Sequence, residues 1–315
     1  MSGYRSEALP GRQRFRERLE RWLLREVIPH PSRVTRACRW MRRFAPLLRA
    51  IPWPLELPNR ERLRDPAPIP GEWPAHGKQR GTIAMLRGCV ADRWFRDETL
   101  AAAWVLSLQG WRVTLPEPHC CGALHRHAGL LEEAHALSRR CAELLLKERP
   151  DYVVVDSAGC AAALAEPLEK TDPVCAELAA RCRDTLGVLA EKGWTPPAQK
   201  ISGDWVVAPP CHARHGKLGD DSTRQILSET LANGYSELPP PGHCCGAAGL
   251  YLLRRPALSR AIGETALERF QRSGASGVIS GNPGCLLRWE FLLRGRRPPA
   301  EAAHPVMLLK RAYPP

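Results

Sequence analysis

His119-Cys120-Cys121-Gly122-Ala123 recurs as His243-Cys244-Cys245-Gly246-Ala247, 124 residues further along a chain of 315. Gly88-Cys89 is matched by Pro210-Cys211 at an offset of 122, and Gly159-Cys160 by Gly284-Cys285 at an offset of 125. Pro116 and Pro240 each stand four residues before their cysteine pair. Near-constant offsets at separate landmarks mark an internal repeat, here a unit of about 120 residues present twice.

The residues around these landmarks follow one plan in both copies. Short apolar runs at 82–86 and 205–208 lead to the first cysteine and predict strands. Helical spacing over 97–109 and 222–232 is closed by Gly110 and Gly234. Segments 112–115 and 235–238 then lead to the proline and the cysteine pair. Longer helices are expected over 130–147 and 256–271, and further strands over 152–156 and 278–280. Strands that alternate with helices imply an α/β fold with a parallel sheet in each copy. Every repeated cysteine then falls at or just after a strand end, where open α/β sheets place their ligands.

This plan divides the chain into a helical segment at 1–50, a proline-rich linker at 51–80, a first lobe at 81–170, a connector at 171–203 and a second lobe at 204–315. The linker holds seven prolines between positions 52 and 74. The N-terminal stretch is arginine-rich with no apolar signal core. The most apolar helical stretch, 99–111, falls short of the ~20 residues a membrane span needs. A cytoplasmic protein is expected. In that setting twelve cysteines point to metal ligands or redox groups before structural disulfides.

Each copy offers four thiolates: Cys89, Cys120, Cys121 and Cys160, then Cys211, Cys244, Cys245 and Cys285. Iron–sulfur clusters are held by thiolates, commonly four each. Adjacent cysteines suit a cluster with several irons, because neighbouring thiolates can reach different metal atoms. The rival is structural zinc in one lobe or both, although zinc sites usually draw on Cys-x2–4-Cys knuckles, which these motifs lack. His119, His212 and His243 adjoin the cysteines. They are expected to tune a cluster from behind its ligands, with simple packing the alternative. His125 and His127 occur in one copy only and are expected to be structural or surface residues rather than ligands. Cys38, Cys141, Cys175 and Cys182 lie outside the repeat and are expected to be buried and inert. No phosphate-binding glycine loop, dinucleotide fingerprint or nucleophile elbow is present in the sequence.

The formal charge of +13 is concentrated. Residues 1–80 carry 18 Lys and Arg against 8 Asp and Glu, and the remainder 28 against 25. Over 13–28 the residues Phe15, Leu19, Trp22, Leu23 and Val27 are expected to share one helical face, with arginines elsewhere. A second such helix spans 34–48 with Val34, Ala37, Met41, Phe44 and Leu48. Basic amphipathic helices dock on a partner, on an anionic membrane, or on the protein's own body. Basic residues are not interleaved with aromatics in the way nucleic-acid binding favours, and no nucleic acid is expected.

With these residues in view, the chain resembles the CCG-type cysteine-rich domain family. That family includes the B subunit of heterodisulfide reductase and the iron–sulfur subunits of glycolate- and lactate-oxidising enzymes. The resemblance rests on the paired His-Cys-Cys-Gly-Ala motifs, Ala158-Gly159-Cys160, Pro210-Cys211-His212 and Asn282-Pro283-Gly284-Cys285, and it covers about residues 81–311. It implies two tandem lobes, one or two [4Fe–4S] clusters and a non-catalytic electron-transfer role. Electrons would pass from an FAD-containing 2-hydroxy-acid dehydrogenase subunit towards quinone or another carrier. Two departures qualify it. Residues 1–80 hold a single cysteine, Cys38, so the ferredoxin-like module of these relatives is expected on a separate chain. Ala163 and Arg288 stand where the heterodisulfide reductase type has a fifth cysteine. Alternatives that remain are a zinc-stabilised scaffold of a redox complex, or a heterodisulfide-reductase-like subunit. Contact with the inner face of a membrane is a further expectation of the basic helices.

Overall fold

Two mostly parallel sheets carry the repeat. The computed structural model describes residues 11–50, 58–59, 61–65, 68–169, 171–215, 221–238 and 244–314. The first sheet contains β1 (Glu72–Trp73), β2 (Gly81–Met85), β3 (Trp111–Thr114), β4 (Tyr152–Val154) and β5 (Cys182–Arg183). The second contains β6 (Trp205–Val207), β7 (Tyr235–Glu237), β8 (Gly277–Ile279) and β9 (Glu301–Ala303). Their orders are β1-β3-β2-β4-β5 and β7-β6-β8-β9. With β1 set aside, the two orders are the same. All pairings are parallel except that of β1 with β3.

The central strands are covered on both faces. Ile83 to Met85, Tyr152 to Val154, Trp205 to Val207 and Gly277 to Ile279 are buried without alternation. Continuous apolar runs are what helix-covered parallel sheets require. The strand expectations hold to within a residue or two, and the differences lie at the edges. Segment 171–203 is more than a connector. It adds β5 beside β4 and a helix, Thr185–Lys192, whose Leu186, Val188 and Leu189 enter the first core. The end of the proline-rich stretch likewise adds β1 through Glu72↔Thr114 and Trp73↔Val113.

The lobes share a core. Val306 and Leu309, from the C-terminal helix Pro305–Ala312, pack with Ile83, Val105 and Leu106 of the first lobe. Full burial of such side chains is worth ~1.5–3 kcal/mol each. Tyr313 ties the same junction by donating to the Thr195 carbonyl at 2.5 Å and accepting from Gln109 at 3.0 Å.

The N-terminal segment forms helices Gly11–Trp22 and Pro31–Ala50, joined through a widened turn at Leu23–Val27. That turn carries a five-residue bond from Ile28 N–H to the Leu23 carbonyl. The buried side of the first helix runs through Glu20 and Leu24, beside the face expected to be apolar. Leu24 is buried, whereas Leu19 and Trp22 are 37% and 54% exposed. Val34, Cys38 and Ala45 supply the buried stripe of the second helix. None of the described helices is long and apolar enough to cross a membrane.

Candidate metal centre

The strand order explains why distant cysteines meet. β2 lies between β3 and β4, so loops leaving their C-terminal ends are neighbours. Beyond the β2–β3 pair, His119 N–H donates to the Arg87 carbonyl at 2.9 Å, and Gly88 bridges to His119. That single rung sets Cys89 beside Cys120. Cys160 enters on the first turn of the helix Ala158–Ala165 after β4. β6, β7 and β8 repeat the arrangement, with Cys211 and Cys285 on helix starts.

In the first lobe the thiols of Cys89 and Cys120 bond one another, as do those of Cys121 and Cys160. In the second, Cys211 pairs with Cys244, and the Cys245 and Cys285 sulfurs are 3.0 Å apart. That contact is well outside the ~2.05 Å of a disulfide, and all twelve cysteines are free. Cys120, Cys121, Cys245 and Cys285 are buried, whereas Cys89, Cys160, Cys211 and Cys244 keep some surface. The structure thus gathers the eight repeat cysteines into two groups of four.

The electrostatics repeat as well. Hydrogen bonds from neighbouring thiols hold Cys120 and Cys160, and likewise Cys244 and Cys285, below the ordinary thiol range. Their partners Cys89, Cys121, Cys211 and Cys245 are pushed up, chiefly by those same bonds and then by burial. Gly246 N–H donates to the Cys244 sulfur at 3.3 Å, and Gly122 N–H acts on Cys120 in the same way. Paired free thiols, one of each pair lowered towards the thiolate, suit a thiolate-ligated metal or cluster.

Histidines divide. The His119 ring lies by the Leu137 backbone, its titration lowered by burial, and its Nε2 has no hydrogen-bond partner among the described residues. His212 Nδ1 is 3.6 Å from the Cys211 sulfur, and its Nε2 is 3.4 Å from His127 Nε2. His243 lies outside the described residues. His125, expected to be a structural or surface residue rather than a ligand, is buried beside the Cys120 sulfur, whose thiolate it favours, with Nε2 2.9 Å from the Leu24 carbonyl. The usable signal is its place in the helix Ala123–His127, which starts directly after the cysteine pair and its glycine. Its absence from the second copy hid it. His127 reaches across to the second lobe, where its Nδ1 lies 2.9 Å from the position a Cβ on Gly249 would take.

The cysteines outside the repeat do not join either group of four, although Cys141 and Cys182 pack behind Cys121 and Cys160. Cys141 and Cys182 are core residues of the first lobe, and Cys38 is buried against Arg93 and Trp94. Cys175 lies within reach of His135 and Asp172. Asp172 there accepts the Val174 and Cys175 amides and an Arg139 guanidinium at 3.1 Å, the arrangement of a capped helix start.

Fold and site define a class: a duplicated α/β protein that gathers four free thiols beyond the C-terminal edge of each sheet. The sequence matches the family model of the CCG cysteine-rich domain over residues 83–165 and again over 205–289, and the chain belongs to that family. It is 27% identical over 291 residues to the probable glycolate oxidase iron–sulfur subunit of Bacillus subtilis, a match covering 84% of this chain and 66% of that one. Lactate utilization protein A of Oceanobacillus iheyensis is 24% identical over 213 residues, 65% of this chain and 86% of that protein. An uncharacterized iron–sulfur protein of Methanocaldococcus jannaschii is 26% identical over 207 residues, 64% of this chain and 40% of that protein.

Proposed function

We propose that this chain is the electron-transfer subunit of a flavin-dependent 2-hydroxy-acid dehydrogenase complex, with each four-cysteine group holding a [4Fe–4S] cluster. The observation that carries the reading is the duplicated convergence of free thiols, half of them biased to thiolate, with glycine N–H groups aimed at sulfur. The names of relatives in glycolate and lactate metabolism support the substrate class. A cluster held there supplies one-electron redox chemistry. The protein's own part is to hold sulfur ligands, bias their protonation and shield them, while a flavoprotein partner takes the hydride.

Anaerobic purification followed by iron, sulfide and zinc analysis tests the reading. A brown protein with iron and sulfide is expected. Alone it should not oxidise glycolate or lactate with an artificial acceptor, and with its flavoprotein it should. A colourless, zinc-loaded protein, or brisk oxidation by the chain alone, would reject it.

Docking is assigned to the basic N-terminal helices. Arg18, Arg21, Arg36 and Arg43 are exposed. Others there are tied down, as in Arg25–Glu133 and Arg39–Asp65. A surface of this sign attracts an acidic partner at low salt. Reversing Arg18, Arg21, Arg36 and Arg43 to Glu should weaken binding to the flavoprotein about tenfold or more in low salt. The loss should shrink as ionic strength rises, because screening shortens to ~3 Å at 1 M. Affinity indifferent to both charge and salt would place the docking surface elsewhere.

A further inference from the structure

The two cysteine groups are joined across the lobe boundary by one side chain. Asn282 Oδ1 accepts the Gly159 N–H at 3.2 Å, and Asn282 Nδ2 donates to the Cys285 sulfur at 3.5 Å. A backbone N–H can only donate, so Gly159 fixes the amide oxygen on its own side and turns the NH2 towards Cys285. Beside this bridge, Ala158 N–H donates to the Gly281 carbonyl at 3.2 Å. The loops that carry the last cysteine of each group are therefore fastened to each other.

The repeat makes the residue choice informative. Ser157 holds the matching place in the first lobe, three residues before Cys160 as Asn282 is before Cys285. Both begin the helix that carries the cysteine. The Ser157 hydroxyl bonds the Cys160 thiol, as Asn282 bonds Cys285. A serine is enough for that local bond. Only the longer amide has a second arm for the other lobe, and a chain of two hydrogen bonds through one polar group transmits polarisation.

Resting on the cluster reading above, we infer that Asn282 is a positioning residue with two separable tasks. Its NH2 raises the reduction potential of the second-lobe centre by bonding a ligating sulfur. Its oxygen holds the Cys160 loop, and so the first-lobe centre, at a fixed place relative to the second.

Three substitutions separate the tasks. Asn282→Asp keeps an acceptor for Gly159 but loses the donor to sulfur. Asn282→Ser keeps a donor to sulfur, as Ser157 does, but loses the reach to Gly159. Asn282→Ala loses both. The first measurement is a redox titration followed by electron paramagnetic resonance, with each substitution also placed in a Cys120→Ser chain to isolate the second-lobe signal. The second is hydrogen exchange at the Gly159 amide. The potential should shift negative in Asn282→Asp and Asn282→Ala, and stay near wild type in Asn282→Ser. Exchange at Gly159 should quicken about two- to tenfold in Asn282→Ser and Asn282→Ala, the range one net hydrogen bond supplies, and stay slow in Asn282→Asp. Wild-type potential and exchange in Asn282→Ala would overturn the inference. So would both readouts moving together in all three variants, the pattern of general loosening. If the wild-type protein binds no iron, the proposed function fails, and the exchange measurement alone still decides the bridge.

Discussion

Cys120→Ser and Cys244→Ser should each remove roughly half of the bound iron and sulfide, and the double variant nearly all of it, since a cluster is commonly held by four thiolates. The two positions are the most strongly predisposed ligands of their groups. Cys120 is held down by the Cys89 thiol, by His125 and by the Gly122 amide. Cys244 is held down by the thiols of Cys211 and Cys245 and by the Gly246 amide. A serine hydroxyl stays protonated at neutral pH and is a far poorer ligand for iron. The control is Cys141→Ser. Cys141 is fully buried in the first lobe, close enough to Cys120 and Cys160 to feel their charge, and its own titration is pushed up by burial. Its substitution should cost ~1–3 kcal/mol for an unsatisfied hydroxyl and lower the melting temperature, with iron content unchanged. Full iron in both motif variants would end the cluster reading. The raised thiols give the pH dependence its sign. Cys89, Cys121, Cys211 and Cys245 keep their protons in the empty protein, so metal must displace them. Retention of metal should therefore weaken as pH falls.

Much of this was legible in the sequence, because the repeat is written in residues that chemistry constrains. Cysteine spacing fixed which strand ends had to meet, and the apolar runs before each cysteine located β2, β4, β6 and β8. The edge strands were not legible, because Cys182–Arg183 and Glu72–Trp73 are two residues long. Runs so brief show no period, and their identity comes from the strand they join. Nor does the pattern of an amphipathic helix say which core it enters. Pro305–Ala312 follows the second repeat in sequence yet packs into the first lobe. At the N-terminus the buried side runs through Glu20 and Leu24, and a wheel of apolar residues does not anticipate a carboxylate buried there against Arg254. Within the site, reasoning from the repeat found the eight cysteines and passed over whatever was not repeated. His125 beside Cys120, His127 against His212, and the cross-lobe arm of Asn282 all belong to one copy only. The asymmetric residues are those that connect each group to the rest of the molecule.

The glycine after each cysteine pair should prove as indispensable as the cysteines. Gly122 has φ +79° and Gly246 has φ +86°. A Cβ on Gly122 would lie 2.5 Å from the Ala134 carbonyl oxygen, and one on Gly246 would lie 2.5 Å from that of Ser259. Both obstacles are the backbone of the following long helix, so no side chain can swing aside to relieve them. The left-handed backbone costs a non-glycine residue ~1–2 kcal/mol. The clash adds either a displaced helix or a displaced cysteine pair, and a total above about 4 kcal/mol falls in the range reserved for severe core defects. Gly129→Ala isolates the first contribution, because Gly129 has φ +78° and open space where its Cβ would stand. Gly122→Ala should therefore lose the first-lobe iron and unfold at a much lower temperature, while Gly129→Ala keeps its iron and shifts only slightly. Gly246→Ala should do the same to the second lobe, where the Gly246 amide also supplies the bond to the Cys244 sulfur. The measurements are iron per chain and thermal unfolding, taken on all three proteins under one buffer. Should Gly122→Ala match Gly129→Ala in both, the helix behind the cysteine pair does not set the ligand geometry. The link between that helix and the cysteine pair would then rest on the Ser138 hydroxyl, which donates to the Cys121 carbonyl at 2.8 Å.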